Sequence, residues 1–216
     1  MKIFKYALVF FLVFCNIKAQ FTLVKNFGVK AGYITSNLEW EGEDLDLQKR
    51  NGFMLGIYGE FFDFQGLSLL IQMEYEQKGM QTEVMFLNYP KAGENTTLIT
   101  DVRLDYFSIP LMLKYTPPIE FDIIPYIFGG ANINLLMSQI STLDWFRTTY
   151  DSLSSNTIGL IGGIGFIFGP KDNVSLMAEF RYNFDLTDSD KSDFRKIKNK
   201  SFEIVLGFAF NSIIGI

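Results

Sequence analysis

The sequence predicts an all-β fold, an eight-stranded antiparallel up-and-down transmembrane β-barrel that follows an N-terminal signal peptide. Three observations carry this. Apolar residues recur at every second position in eight separate segments. Long and short connections alternate between those segments in strict order. The apolar face is also too bulky to be packed inside a barrel of eight strands. Aromatics make up 16% of the 216 residues, 23 of them Phe, yet charged residues reach 20%. So much Phe needs either a large core or a lipid solvent.

The chain opens Met-Lys-Ile-Phe-Lys, continues through an apolar run from Tyr6 to Cys15, and reaches Ala19-Gln20 through polar residues, the three-part layout of a secretory signal peptide. The run is about half of the roughly 20 residues that a membrane-spanning helix needs. Cleavage after Ala19 is expected, which divides the chain into residues 1–19, the signal, and 20–216, the barrel domain. Lipid attachment at Cys15 is disfavoured by the large Phe14 before it. Of the 19 basic residues, Lys2, Lys5 and Lys18 fall in the signal with none of the 24 acids, so the mature chain carries a net charge of −8. Nucleic acid is not an expected partner of such a surface.

Beyond Gln20 no run of 18 apolar residues occurs, which excludes helical spans. The clearest strand sets Leu67, Leu69, Ile71, Met73 and Tyr75 against Ser68, Leu70, Gln72, Glu74 and Glu76. A second sets Val174, Leu176, Ala178, Phe180, Tyr182 and Phe184 against Ser175, Met177, Glu179, Arg181, Asn183 and Asp185. A third carries Phe202, Ile204, Leu206, Phe208 and Phe210, and others start near Phe27, Phe53, Leu104, Pro125 and Ile158. An even number of strands closes with both termini on one side.

Residues 36–51, 80–102, 139–156 and 187–199 read as long polar connections. Between them lie the short ones, Asp63 to Gly66, Thr116 to Asp122 with Pro117-Pro118, and Gly169 to Asn173. Short periplasmic turns and longer outer loops are the layout of an outer-membrane barrel. A soluble barrel of the lipocalin kind would also alternate, with its apolar face inside. Volume decides between them, because about forty mostly large apolar positions exceed what eight strands enclose. The other face carries Gly28, Gly32, Gly56, Gly159, Gly163, Gly165, Ser68, Ser108, Asn132 and Asn134, groups suited to a narrow lumen. Aromatics at segment ends predict two girdles: Phe27, Phe61, Tyr115, Tyr126, Phe168 and Phe210 at the periplasmic rim, and Tyr33, Phe53, Tyr75, Phe107, Tyr182 and Phe202 at the other.

The segment Tyr106-Phe107-Ser108-Ile109-Pro110-Leu111-Met112-Leu113-Lys114-Tyr115 resembles the Y-x-x-I-P-L-L-x-K-Y strand of the outer-membrane β-barrel family widespread in Bacteroidetes, often labelled porin-family or PorT-like. Tyr106, Ile109, Pro110, Leu111, Lys114 and Tyr115 carry the likeness. Pro125-Tyr126 with Gly129-Gly130, and Glu179-Phe180-Arg181-Tyr182, extend it along the chain. The resemblance implies an outer-membrane barrel in contact with membrane lipid, in a functionally mixed family. Pro110 cannot donate a ladder hydrogen bond, so a local bulge or kink is expected there.

The chain has no histidine and, once the signal is removed, no cysteine. Triad hydrolysis, Cys–His catalysis and His-ligated zinc are therefore closed to it, no cofactor or metal is expected, and a lipid-modifying enzyme is a poor reading. The best-defined constellation is a set of inward-facing charges: Lys30, Glu60, Glu74, Glu76, Lys114, Glu179, Arg181 and Glu203. Each must find a partner or water. They form either a salt-bridged plug in place of a hydrophobic core or the lining of a narrow ion or solute channel, and an almost filled eight-stranded lumen favours the plug. Arg181 and Glu203 fall on neighbouring strands and are placed to pair.

In the loops, Glu39, Glu41, Glu43, Asp44 and Asp46, and separately Asp188, Asp190 and Asp193, offer carboxylates without the spacing of a Ca²⁺ loop. Trp40, Trp145 and Phe146 are candidate loop contacts for a partner. The expected role is a non-enzymatic membrane scaffold or interaction partner for envelope or secretion machinery, with a narrow porin-like channel as the alternative.

Overall fold

Strands form wherever the two-residue period runs: β1 (Thr22–Trp40), β2 (Gln48–Phe64), β3 (Leu67–Phe86), β4 (Thr96–Tyr115), β5 (Ile123–Ser141), β6 (Asn156–Phe168), β7 (Val174–Asp185) and β8 (Ile197–Gly215). The structure, a computed structural model of the chain, describes residues 22–40, 48–86, 96–141, 156–169, 173–187 and 197–215. Residues 1–19, the acidic positions 41–46 and 188–193, and Trp145 and Phe146 lie outside the described residues. No helix among those described is long and apolar enough to cross a membrane; the strands do so.

Each strand pairs antiparallel with its neighbours in sequence, and β1 pairs with β8 from Phe27↔Phe210 up to Trp40↔Ile197, which closes the barrel. Closure leaves no row of unpaired backbone groups, a requirement where no water can satisfy them. Both ends of the sheet, Thr22 and Gly215, face each other on the side of the short turns. The tightest turn joins β2 to β3, with Gln65 and Gly66 both in left-handed backbone (φ 52° and 86°), the geometry of a two-residue hairpin. The Asp63 side chain accepts the Gly66 N–H there at 3.2 Å.

The outward face is apolar and exposed from Phe27, Leu113, Phe168 and Phe210 at the short-turn end to Tyr33, Phe53, Tyr182 and Phe202 at the other. Leu206, midway on β8, is 65% exposed. Such a belt is stable against hydrocarbon and not against water. One girdle assignment is corrected. Tyr126 faces the lumen and is buried, because Gly165 is its direct cross-strand partner and lacks the Cβ that would collide with the Tyr126 ring.

Strand lengths also differ from the sequence reading. Positions 36–40, 80–86 and 96–102, expected as loop, are strand, and Trp40 is the last residue of β1, its backbone opposite Ile197. The 20 residues of β3 span roughly 65 Å of strand at about 3.3 Å per residue, well beyond the ~25 Å apolar band even when tilted. Above the upper girdle the outward positions of β1 to β4 become polar, with Thr35, Asn37, Asn51, Gln77 and Arg103, while Met137 and Ile140 of β5 stay apolar and exposed. The inward ones there become apolar: Leu38, Met80, Val102, Leu104 and Tyr106 form one buried cluster, with Leu136 against it.

Pro110 needs no bulge. Pairing of β3 with β4 is interrupted between Ile71↔Leu111 and Glu74↔Ser108 and resumes in unchanged register, while Pro110 stays opposite Asn132 of β5. The missing donor faces the gap. The register shift on β4 falls instead between Asp105 and Tyr106, against β5.

Candidate functional site

The lumen is where the polar residues collect. β-Pleating turns alternate residues of every strand inward, and at mid-barrel these are the charges singled out above. Three layers follow from their heights.

In the layer nearest the short turns, Glu60 of β2 accepts from Lys114 Nζ of β4 at 2.7 Å, Ser68 Oγ at 2.6 Å and Asn26 Nδ2 at 3.0 Å, with Lys25 Nζ 3.3 Å away. Lys114 lies over the Tyr126 ring, 4.3 Å from its centroid. Tyr58, Leu70, Met112, Tyr126, Phe128, Ile161 and Met177 pack around these charges, so this part of the lumen is not simply polar. Glycine makes room for such rings; at Gly28 a Cβ would strike both the Phe208 carbonyl and the Tyr58 ring.

The middle layer is organised by Arg181 of β7. Its Nε and Nη2 reach Glu179 Oε2 at 2.7 and 2.6 Å, Nη1 reaches Glu74 Oε1 at 2.9 Å, and Nη2 donates to Gln72 Oε1 at 2.8 Å. Glu203 of β8 is the more distant neighbour at 3.8 Å. Glu74 and Gln72 are on β3, four strands from β7 around the ring. The guanidinium therefore reaches across the bore, and its side chain is 0% exposed. Glu179 is saturated, accepting also from Lys30 Nζ at 2.7 Å and Tyr126 Oη at 2.6 Å. Lys30 thus joins this layer and not the one around Glu60.

In the upper layer Glu76 pairs with Lys78 Nζ at 2.6 Å and accepts from Ser108 Oγ at 2.8 Å. Asp185 has neutral donors, Asn134 Nδ2 at 2.9 Å and Thr157 Oγ1 at 3.2 Å, and Ser201 donates to Glu203 at 2.9 Å. Among the described residues, Gln72 Nε2 and Glu74 Oε2 have no hydrogen-bond partner in the middle layer, and Glu76 Oε1 and both polar atoms of Asn183 have none in this one. Above it sits the apolar cluster of Leu38, Met80, Val102, Leu104 and Tyr106.

Sequence reasoning passed over Lys78, put Tyr126 at the rim, and placed Gln72 and Asp185 on the inward face without counting them in the charge set. Lys78 continues the inward phase two residues beyond Glu76, a signal hidden because the outward neighbour, Gln77, is already polar. Of the family-motif residues, Tyr106, Pro110 and Lys114 face inward, and Leu111 and Tyr115 face out, with Ile109 half-buried. Among the described residues no group of three or more potential ligands is arranged to hold a metal ion. What the arrangement does chemically is fix charges: each mid-barrel carboxylate is held by cations or donors, and buried ions so bound are costly to disturb.

The sequence profile of the outer membrane protein beta-barrel domain family matches residues 19–191. The chain belongs to that family. Its place is therefore the outer membrane, with lipid around the apolar belt. The crystal structure of Neisserial surface protein A superposes with a TM-score of 0.51 at 19% identity, over 86% of this chain and 97% of that one, a likeness of fold. Outer membrane protein OprG of Pseudomonas aeruginosa aligns with a TM-score of 0.48 at 14% identity, over 90% of this chain and 99% of that one. A comparison with curated proteins gives no match.

Proposed function

We propose that this outer-membrane barrel is a non-enzymatic membrane scaffold whose lumen is a structural core, and that its outer loops or periplasmic rim engage another envelope component, such as secretion or surface-assembly machinery. The observation that supports this is the fully buried Arg181 side chain, which bridges β7 to β3 across the bore. A conduit would have to break that bridge, leaving carboxylates unpaired in a low-dielectric interior. The absence of His, and of Cys beyond residue 15, removes the imidazole base and the thiolate nucleophile. The finer likeness to the PorT-like barrels of Bacteroidetes, carried by the Tyr106 to Tyr115 strand, belongs to the same proposal, as does export by cleavage after Ala19.

Two measurements test it. In a planar bilayer the inserted wild-type barrel is expected to be electrically silent, and Arg181→Ala to give sporadic conductance through the opened middle layer. Discrete, ion-selective openings of the wild type, altered by Arg181→Ala, would overturn the scaffold reading in favour of a narrow channel. Cross-linking in intact cells is expected to recover one specific envelope protein in high yield; recovery of none would also count against it.

A further inference from the structure

Charge is not spread evenly along the bore. In the layer by the short turns Lys25 and Lys114 stand against Glu60 and Asp63, and in the middle layer Lys30 and Arg181 stand against Glu74 and Glu179. Both layers balance. In the upper layer three carboxylates, Glu76, Asp185 and Glu203, share one cation, Lys78, whose Nζ is 2.6 Å from Glu76 and within electrostatic reach of the other two. The cations higher up, Arg50 and Arg103, are held by Asp101 and Asp105. Among the described residues, three acids less one ammonium leave this layer with two surplus negative charges, beneath the apolar cluster around Leu104. Buried ions in such surplus are costly unless a counter-charge reaches them.

Unpartnered oxygens collect in the same place. Glu203 Oε1 accepts from Ser201, but Oε2 has no hydrogen-bond donor, and Arg181 Nη1 stands off at 3.8 Å. Asn183, only 2% exposed, has no partner on either polar atom, and Asn199 Oδ1 has none. β7 and β8 bring these groups onto one patch of the inner wall. Arg181 is opposite Glu203 and Asn183 opposite Ser201, so Asn183 is the diagonal neighbour of both Glu203 and Asn199. Diagonal neighbours stand roughly 7–8 Å apart, a gap that two short polar side chains can span through a shared ion.

We propose that Glu203, Asn183 and Asn199 hold an alkali-metal cation in the upper lumen, bound by Glu203 Oε2 and the two side-chain amide oxygens, with water completing its shell. Water alone would satisfy the hydrogen bonding of these atoms but bring no charge to a layer that is short of cations. Hard cations take oxygen ligands, and neutral carbonyl oxygens can replace the hydration shell of an alkali ion. A divalent ion is not the occupant, because no three carboxylates converge on one point among the described residues. The site goes beyond the scaffold reading and is independent of what the loops engage. Conductance of the barrel would overturn that reading and leave this one to its own measurement.

The test is urea unfolding of the full-length barrel, folded in detergent at about pH 8, where accessible carboxyls are ionised. Sodium or potassium chloride replaces N-methylglucamine chloride at constant ionic strength, so that screening stays fixed. A cation bound by the folded state alone raises the folded-to-unfolded ratio about tenfold for each tenfold rise in concentration above its dissociation constant. The wild-type midpoint is therefore expected to climb between about 1 and 300 mM of either alkali salt. Glu203→Gln should lose that dependence and, with N-methylglucamine as the sole cation, resist urea at least as well as wild type, since it also removes a surplus charge. Where Glu203→Gln does not fold, Asn183→Ala carries the same comparison, with the salt response shifted to about tenfold higher concentration. Equal wild-type midpoints in all three chlorides overturn the proposal and leave water or protonated carboxyls to satisfy the layer. A response that both variants keep would place the ion elsewhere on the chain, and a response to calcium chloride alone would make the site divalent; each overturns it equally.

Discussion

Above and below the upper ring of aromatics, the same strands obey opposite patterns. Between the girdles, β3 turns Ile71, Met73 and Tyr75 outward and Gln72, Glu74 and Glu76 inward. A few residues higher, Gln77 and Gln81 face away from the lumen while Met80 joins the buried apolar cluster with Leu104 and Tyr106. Along β3 the inward phase is kept from Ser68 to Met80; what changes is the solvent outside. Lipid outside asks for apolar residues there and leaves the lumen to polar ones, and water outside restores the soluble-protein rule. The barrel is thus stapled by ions at mid-membrane and by a small hydrophobic core at its mouth.

Substitutions can break each half separately. The largest effect is expected from Arg181→Leu, which strips Glu74 and part of Glu179 of their partner inside the bore. A loss of about 3–5 kcal/mol is expected, read by urea unfolding of the folded barrel. A midpoint equal to that of wild type would show that the ion network does not hold the middle together.

Leu104→Ala should cost about 2–4 kcal/mol at the mouth, because Leu104 is wholly buried in the upper cluster. Its signature is local: amide exchange should quicken in the strand ends above Tyr33, Phe53 and Tyr75, with the ion-paired rows unaffected. Exchange rising evenly along all strands would mean that the two regions are one cooperative unit.

Leu206→Arg tests the outer surface that both regions share. At the midpoint of the belt it should cost about 2–4 kcal/mol in a bilayer. Little or no penalty would mean that this face is not in hydrocarbon. The smallest change is Tyr126→Phe, which removes one donor to Glu179 while Lys30 and Arg181 remain, for a loss of about 1 kcal/mol on the same urea assay.

Much of this was legible because a period of two is read directly from residue order. The inward phase of Lys30, Glu60, Glu74, Glu76, Lys114, Glu179, Arg181 and Glu203 needed no coordinates, and neither did the outward phase of Leu206. Tyr126 was misread because an aromatic near a strand end suits a girdle as well as a lumen. The signal that could have resolved it was Gly165, but Gly165 is a partner only after β5 and β6 are aligned in register. Lys78 was lost with the strand extension, since a polar outward neighbour looks like a loop when water is assumed on both faces.

By itself, then, the sequence determined the strand count, the two faces, the closed barrel and its outer-membrane setting, since alternation and the bulk of the apolar face are local properties that lipid and backbone hydrogen bonding select. Only the tertiary structure decided who pairs with whom. Lys30 meets Glu179 across 149 positions of chain and Arg181 meets Glu74 across 107. Those meetings depend on the stagger at which eight tilted strands close, a quantity summed around the whole ring and carried by no single segment.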